Sequence, residues 1–279
     1  MSSWVLLRGL MREQRHWGGF PDLLAQALPD AVVVTPDLPG NGTRHRLRSA
    51  TRVADMVEFC RADLAARGLA PPHHLLALSL GGMVAVEWAA RHPGELAAGV
   101  LLNTSMRPFS PFHQRLRWQN YGAIAALLLR GGARRREELI LRLTSRDGPR
   151  AELLAQWLDY QRQYPVGRAN ALRQLLSAAR YRAPAARPQV PLLVLAGAGD
   201  RLVDPRCSQR LAAAWRAPYR AHPDAGHDLP LDAGAWVARQ VADWLAALAP
   251  TSGPGPGPGP GPGSGPGPGP GPGPAGEAG

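Results

Sequence analysis

Leu75-Leu-Ala-Leu-Ser79-Leu-Gly81-Gly82-Met-Val-Ala85 is the stretch on which the fold of this chain turns. An apolar run meets a serine set among small residues and passes at once into a helix-forming series. Small side chains at 77 and 81 let a strand turn sharply into a helix and leave the serine hydroxyl exposed above a sheet, the context of a nucleophile elbow. The G-x-S-x-G spacing is kept, with Ala77 in place of the first glycine. The competing reading makes Ser79 an ordinary N-cap of the following helix.

Outward from this stretch, apolar runs alternate with helical periodicity. Strands are predicted at Trp4 to Arg8, Ala31 to Thr35, His74 to Leu78, Ala98 to Asn103, Pro191 to Ala196 and Pro218 to His222. Helices are predicted at Trp17 to Leu28, Thr51 to Arg67, Leu80 to Arg91, Pro205 to Ala214 and Ala233 to Leu248. Runs rich in Val, Leu and Ala read as strands buried on both faces. Their alternation with helices predicts an α/β fold built on a doubly wound, mostly parallel sheet.

Between Asn103 and Val190 the alternation stops and only helical patterns remain, at Phe112 to Leu129, Arg134 to Thr144, Pro149 to Tyr160 and Arg168 to Arg180. Residues 106–188 therefore read as a helical cap inserted into a core made of residues 1–105 and 189–249. Residues 250–279 are nearly all Gly and Pro, the two poorest helix formers, and read as a disordered tail.

A serine hydroxyl is a weak nucleophile until a base takes its proton and a third group holds that base in one tautomer. In a chain of this kind both partners lie downstream at strand ends, in the order acid then histidine. The strand ending Gly197-Ala-Gly199-Asp200 supplies the acid, Asp200, with Asp204 as the alternative; its place before Pro205 reads better as a helix cap. The base is His227, which follows Gly226 in the loop after the last predicted strand. Oxyanion donors are expected from the backbone amides of Leu10 and Leu80. Met11, Trp118, Tyr121 and Leu229, beside Leu10, are the expected pocket walls.

The chain has 279 residues and a formal net charge of +11, and it contains no lysine. Residues 107–189 hold 16 Arg against 5 Asp and Glu, so the positive excess belongs to the predicted cap. Two readings stay open for it: a solvated surface shaped by codon bias, or a surface that steers an acidic carrier protein or an anionic substrate. No recognition motif accompanies the arginines, which argues against a nucleic-acid binder. Two cysteines, Cys60 and Cys207, are too few for a disulfide framework and lack zinc-site spacing. No metal and no cofactor are expected. With neither a signal-peptide pattern nor a membrane-length apolar run, a cytoplasmic location away from membranes is expected.

Taken together, these residues resemble the α/β-hydrolase superfamily across residues 4–248. The resemblance is carried by Leu6-Leu-Arg8-Gly9-Leu10, Asp37-Leu-Pro-Gly40-Asn-Gly42, the Ser79 elbow, Gly197-Ala-Gly-Asp200 and Gly226-His227. It departs from the family at Arg8, where His is usual, and it starts at what the family counts as its third strand. The compact core and Arg-rich cap are similar to the pimeloyl-acyl-carrier-protein methyl ester esterases. The resemblance implies a serine esterase; the same three residues could instead serve a thioester, lactone, amide or carbon-carbon bond. A ligand-binding homologue without turnover is the alternative from another class.

Overall fold

The computed structural model describes residues 2–130 and 132–248, with Gly269 and Gly271. Apart from those two glycines, the predicted tail lies outside the described residues.

Among the described residues six strands form one sheet: β1 (Ser2–Leu7), β2 (Ala31–Val34), β3 (His73–Leu78), β4 (Leu96–Leu102), β5 (Leu192–Gly197) and β6 (Tyr219–His222). Their spatial order is β2-β1-β3-β4-β5-β6, and all neighbouring pairs are parallel. Successive residues of a strand point to opposite faces, so each buried strand feeds two cores. Val5, Leu7, Leu75, Ala77 and Val194 face α2 (Val53–Ala66), α3 (Leu80–Arg91) and α9 (Arg206–Trp215). Trp4, Leu6, Leu76, Leu193 and Leu195 face α1 (Phe20–Ala27) and α10 (Leu229–Leu248). Two apolar faces explain why the strands read as continuous hydrophobic runs.

The chain winds outward from β1 in both directions, with β2 on one side and β3 on the other. A crevice opens at such a switch point beyond the carboxyl ends of the strands, and Arg8 and Ser79 follow β1 and β3 there.

Among the described residues five α-helices lie between β4 and β5: α4 (Phe112–Arg115), α5 (Tyr121–Arg130), α6 (Ala133–Thr144), α7 (Ala151–Gln163) and α8 (Arg168–Arg180). The single helix predicted at 112–129 is broken. Leu116 is extended (φ −136°, ψ 115°), and a short 3-10 turn covers Trp118–Asn120. Hydrogen bonds to the loop after β5 outweigh local helix propensity: Arg117 donates its backbone N–H to Leu202 O (2.9 Å) and its Nη1 to Asp200 O (2.9 Å). Helix α10 begins earlier than predicted, and Ala233 (φ −148°, ψ 42°) marks a kink where the predicted helix starts.

Among the described residues no helix is long and apolar enough to cross a membrane. Cys60 and Cys207 are buried free thiols.

Candidate active site

Ser79 stands between β3 and α3 with φ 56° and ψ −113°, a conformation that costs a side-chain-bearing residue energy. The turn is held from both sides, since Ser79 N–H donates to Leu102 O (3.0 Å) and Thr104 Oγ1 donates to Ser79 O (2.8 Å). A Cβ at Gly81 would run into the Leu7 carbonyl, so only glycine lets α3 pack this close to β1. The Ser79 side chain makes no capping hydrogen bond. Ser79 thus holds the N-cap position of α3 without capping it through its side chain, and the strained turn leaves it lining a cavity.

Asp200 and His227 meet at the ends of β5 and β6. His227 Nδ1 lies 2.7 Å from Asp200 Oδ2, with both side chains buried. The other carboxylate oxygen, Oδ1, accepts the backbone N–H groups of Leu202 and Val203 (2.8 Å each). A carboxylate can only accept here, so Nδ1 carries the proton and Nε2 is left as an acceptor. Asp204 is not in the site: it pairs with Arg206 Nη2 (2.6 Å) and accepts the Arg206 N–H (3.0 Å) at the start of α9. Ser79 and His227 line the same cavity, and no hydrogen bond joins their side chains among the described residues. Catalytic hydrogen bonds of this kind often close only around substrate.

Asn103 is a positioning residue that the sequence did not reveal. Its Nδ2 donates to His227 O (2.7 Å) and Gly226 O (3.0 Å), and its Oδ1 accepts Gly197 N–H (2.8 Å). One amide thus ties the histidine loop to the strand that carries Asp200. A polar residue closing the buried apolar run of β4 was the available signal. Asn103→Ala should lower kcat about tenfold with little change in KM, because it loosens His227 and touches no pocket wall. A rise in KM as large as the fall in kcat would contradict this.

Arg8, the departure from the family's His, is neutralised. Its Nη1 and Nη2 donate to Asp228 Oδ1 (3.0 Å) and Oδ2 (2.6 Å), and its guanidinium lies 4.7 Å from the Trp17 ring centroid. The pair joins the loop after β1 to the residue next to His227. Removing one member of a buried pair strands the other charge and costs about 3–5 kcal/mol. Arg8→Met should therefore lower Tm by about 10 °C, and adding Asp228→Leu should restore most of it. Melting curves test this, and a single variant as stable as the parent would refute it.

The amides of Leu10 and Leu80 donate to no protein acceptor among the described residues, and both residues border the cavity. Gly9 passes close enough that an added Cβ would lie 3.3 Å from Ser79 Cβ, which brings the loop after β1 against the serine. The cavity is about 420 Å³, within the range of small-ligand sites. Leu10, Met11 and Tyr121 form part of its wall, as expected. Trp118 does not: it is 63% exposed, on the short turn that replaces the predicted helix. Nor does Leu229, which is fully buried among the strand side chains beneath α10. Its helix starts immediately after the histidine loop and turns this side chain down onto the sheet.

The family description "Alpha/beta hydrolase family" matches residues 4–272. The chain is 32% identical over 195 residues to a pimeloyl-[acyl-carrier protein] methyl ester esterase of Chromobacterium violaceum, covering 67% of this chain and 72% of that protein. A thermophilic esterase from Thermogutta terrifontis superposes with a TM-score of 0.66 at 22% identity, covering 89% of this chain and 90% of that one. A hydrolase from Pseudomonas aeruginosa superposes with a TM-score of 0.71 at 22% identity, covering 88% and 89%. These two structures share the fold.

Proposed function

Because the chain belongs to the alpha/beta hydrolase family, we propose that it cleaves a carboxylic ester through an acyl-enzyme formed on Ser79, with His227 as base and Asp200 as the orienting acid. The observation that carries this reading is the buried 2.7 Å contact between Asp200 Oδ2 and His227 Nδ1, at the cavity that also holds the strained serine.

Asp200 keeps the proton on Nδ1, so Nε2 is free to take the Ser79 proton as Oγ attacks the ester carbonyl. Negative charge then develops on the carbonyl oxygen, and the unengaged amides of Leu10 and Leu80 are its donors, the latter at the N-terminus of α3. The imidazolium returns its proton to the departing alcohol oxygen. Water, deprotonated by the same Nε2, releases the acid and restores Ser79.

A fluorophosphonate probe should label Ser79, and p-nitrophenyl esters of increasing acyl length should be turned over with a length optimum set by the cavity. Thioesters, lactones and amides assayed in parallel decide the bond. Absence of both labelling and turnover would leave a ligand-binding protein on the same fold. The Arg excess of residues 107–189 and the carrier-protein ester named for the Chromobacterium relative support a cap that receives an acidic carrier protein. Turnover of a carrier-bound ester should then fall with rising ionic strength, whereas a flat response would exclude such steering.

A further inference from the structure

Helix α6 runs along the cavity. At its C-terminal end Thr144 O accepts the backbone N–H of Asp228 (2.7 Å), and Ser145 Oγ donates to Asp232 Oδ1 (2.8 Å), which pins that end beside His227. Arg136 is two helical turns back, about 12 Å away at about 1.5 Å per residue. Between them Leu139, Ile140 and Leu143 line the cavity, and Ala171 and Leu175 of α8 line it as well. These walls are apolar, so the space suits a hydrocarbon chain.

The far end is cationic. Arg12, Arg136 and Arg168 all border the cavity there, and among the described residues a single carboxylate, Glu137, pairs with the first two. Glu137 is 1% exposed and lies 2.8 Å from Arg12 Nη2 but 3.6 Å from Arg136 Nε. Arg136 otherwise donates to the Val166 carbonyl through a long 3.4 Å bond, which brings it to the turn that starts α8 at Arg168. Among the described residues Arg168 has no carboxylate within ion-pair distance. Burial and the neighbouring Arg12 and Arg168 charges hold the Arg136 guanidinium below the usual arginine range, with burial the larger cause. A half-buried cation so weakly matched is a desolvation cost that an anionic ligand would offset.

We infer that the Arg12, Arg136 and Arg168 end of the cavity is a subsite for an anionic group at the far terminus of the substrate's chain. The esters selected are then those whose apolar chain ends in a carboxylate or phosphate about two helical turns from the scissile carbonyl. This inference rests on the ester-hydrolase reading for the position of the scissile bond.

The test compares kcat/KM for monomethyl esters of linear dicarboxylic acids with methyl esters of monocarboxylic acids of equal length, with ω-phosphate methyl esters as a third arm. The charged chain should be preferred at least about tenfold, the size of one charge-assisted hydrogen bond. Arg136→Gln and Arg168→Gln should each erase most of that ratio. Arg187→Gln, which removes an equal charge from an exposed loop off the cavity, should keep it. Arg168 is exposed, so its variant keeps the test open should Arg136→Gln fail to fold. The stronger of the two anionic arms identifies the terminus. A parental ratio near one, or a ratio that survives both substitutions, overturns the subsite. Calorimetric titration of Ser79→Ala with the same monomethyl dicarboxylates separates the two failures. Tight binding of charged over neutral chains without turnover in the parent would sink only the hydrolase reading.

Discussion

Ser79→Ala is expected to lower ester kcat by about 10⁴-fold or more, because it removes the proposed nucleophile, whereas the cavity hydroxyls of Ser105 and Thr144 are held by backbone carbonyls. The size follows from what the residue does, since the other site groups act on the serine and have nothing to activate without it. His227→Ala should cost a comparable amount, and the double variant should be no slower than either single one. Labelling by a fluorophosphonate should vanish from the peptide that contains residue 79. Ser79→Gly separates chemistry from strain. It should be equally inactive yet melt higher than Ser79→Ala, since glycine accepts φ 56° without the ~1 kcal/mol or more that a Cβ pays there. If Ser79→Ala kept its rate within about tenfold of the parent, the nucleophile would have to be another residue.

Asp200→Asn should reduce kcat by about 10⁴-fold with the fold intact. The backbone amides of Leu202 and Val203 both donate to Oδ1, so an asparagine must place its carbonyl oxygen there. Its NH₂ group then faces His227 Nδ1, where Oδ2 stood 2.7 Å away. That donor forces Nδ1 to accept and leaves the proton on Nε2, which can no longer receive one from Ser79. Asp204→Asn should change kcat only a few-fold, because its charge serves the exposed Arg206 at the start of α9. A reversed ranking of the two variants would move the acid to 204. Circular dichroism and melting curves would show that both remain folded.

Where the proposed site residues fall in the fold was largely legible from the sequence, and the legible ones share a cause. Ser79, Asp200 and His227 sit at abrupt local transitions, where a buried strand ends and small residues permit a sharp turn. Such transitions leave a pattern within ten residues of sequence. The Arg8 pair with Asp228 left none, and Asn103 left only a polar residue at a strand end, because the partners of both are distant in sequence. The pocket wall was half legible for a similar reason. Leu10 and Met11 adjoin the elbow through neighbouring strands, whereas Trp118 depended on a helix that tertiary hydrogen bonds break. Leu229 depended on the direction in which the first turn of α10 faces.

By itself, then, the amino-acid order determined the parallel sheet, the placement of helices between strands, the helical segment between β4 and β5, and the positions of Ser79, Asp200 and His227 after strand ends. Those features arise from hydrophobic periodicity and from turns that only small residues can make, both local properties of the chain. Tertiary structure alone decided how the site is held and shaped: the Asn103 tie, the neutralisation of Arg8, the break after α4, and the alignment of α6 from His227 to Arg136. Each is a balance between a buried polar group's need for a partner and the partners that folding brings within reach. Nothing in the linear order states which distant group that will be.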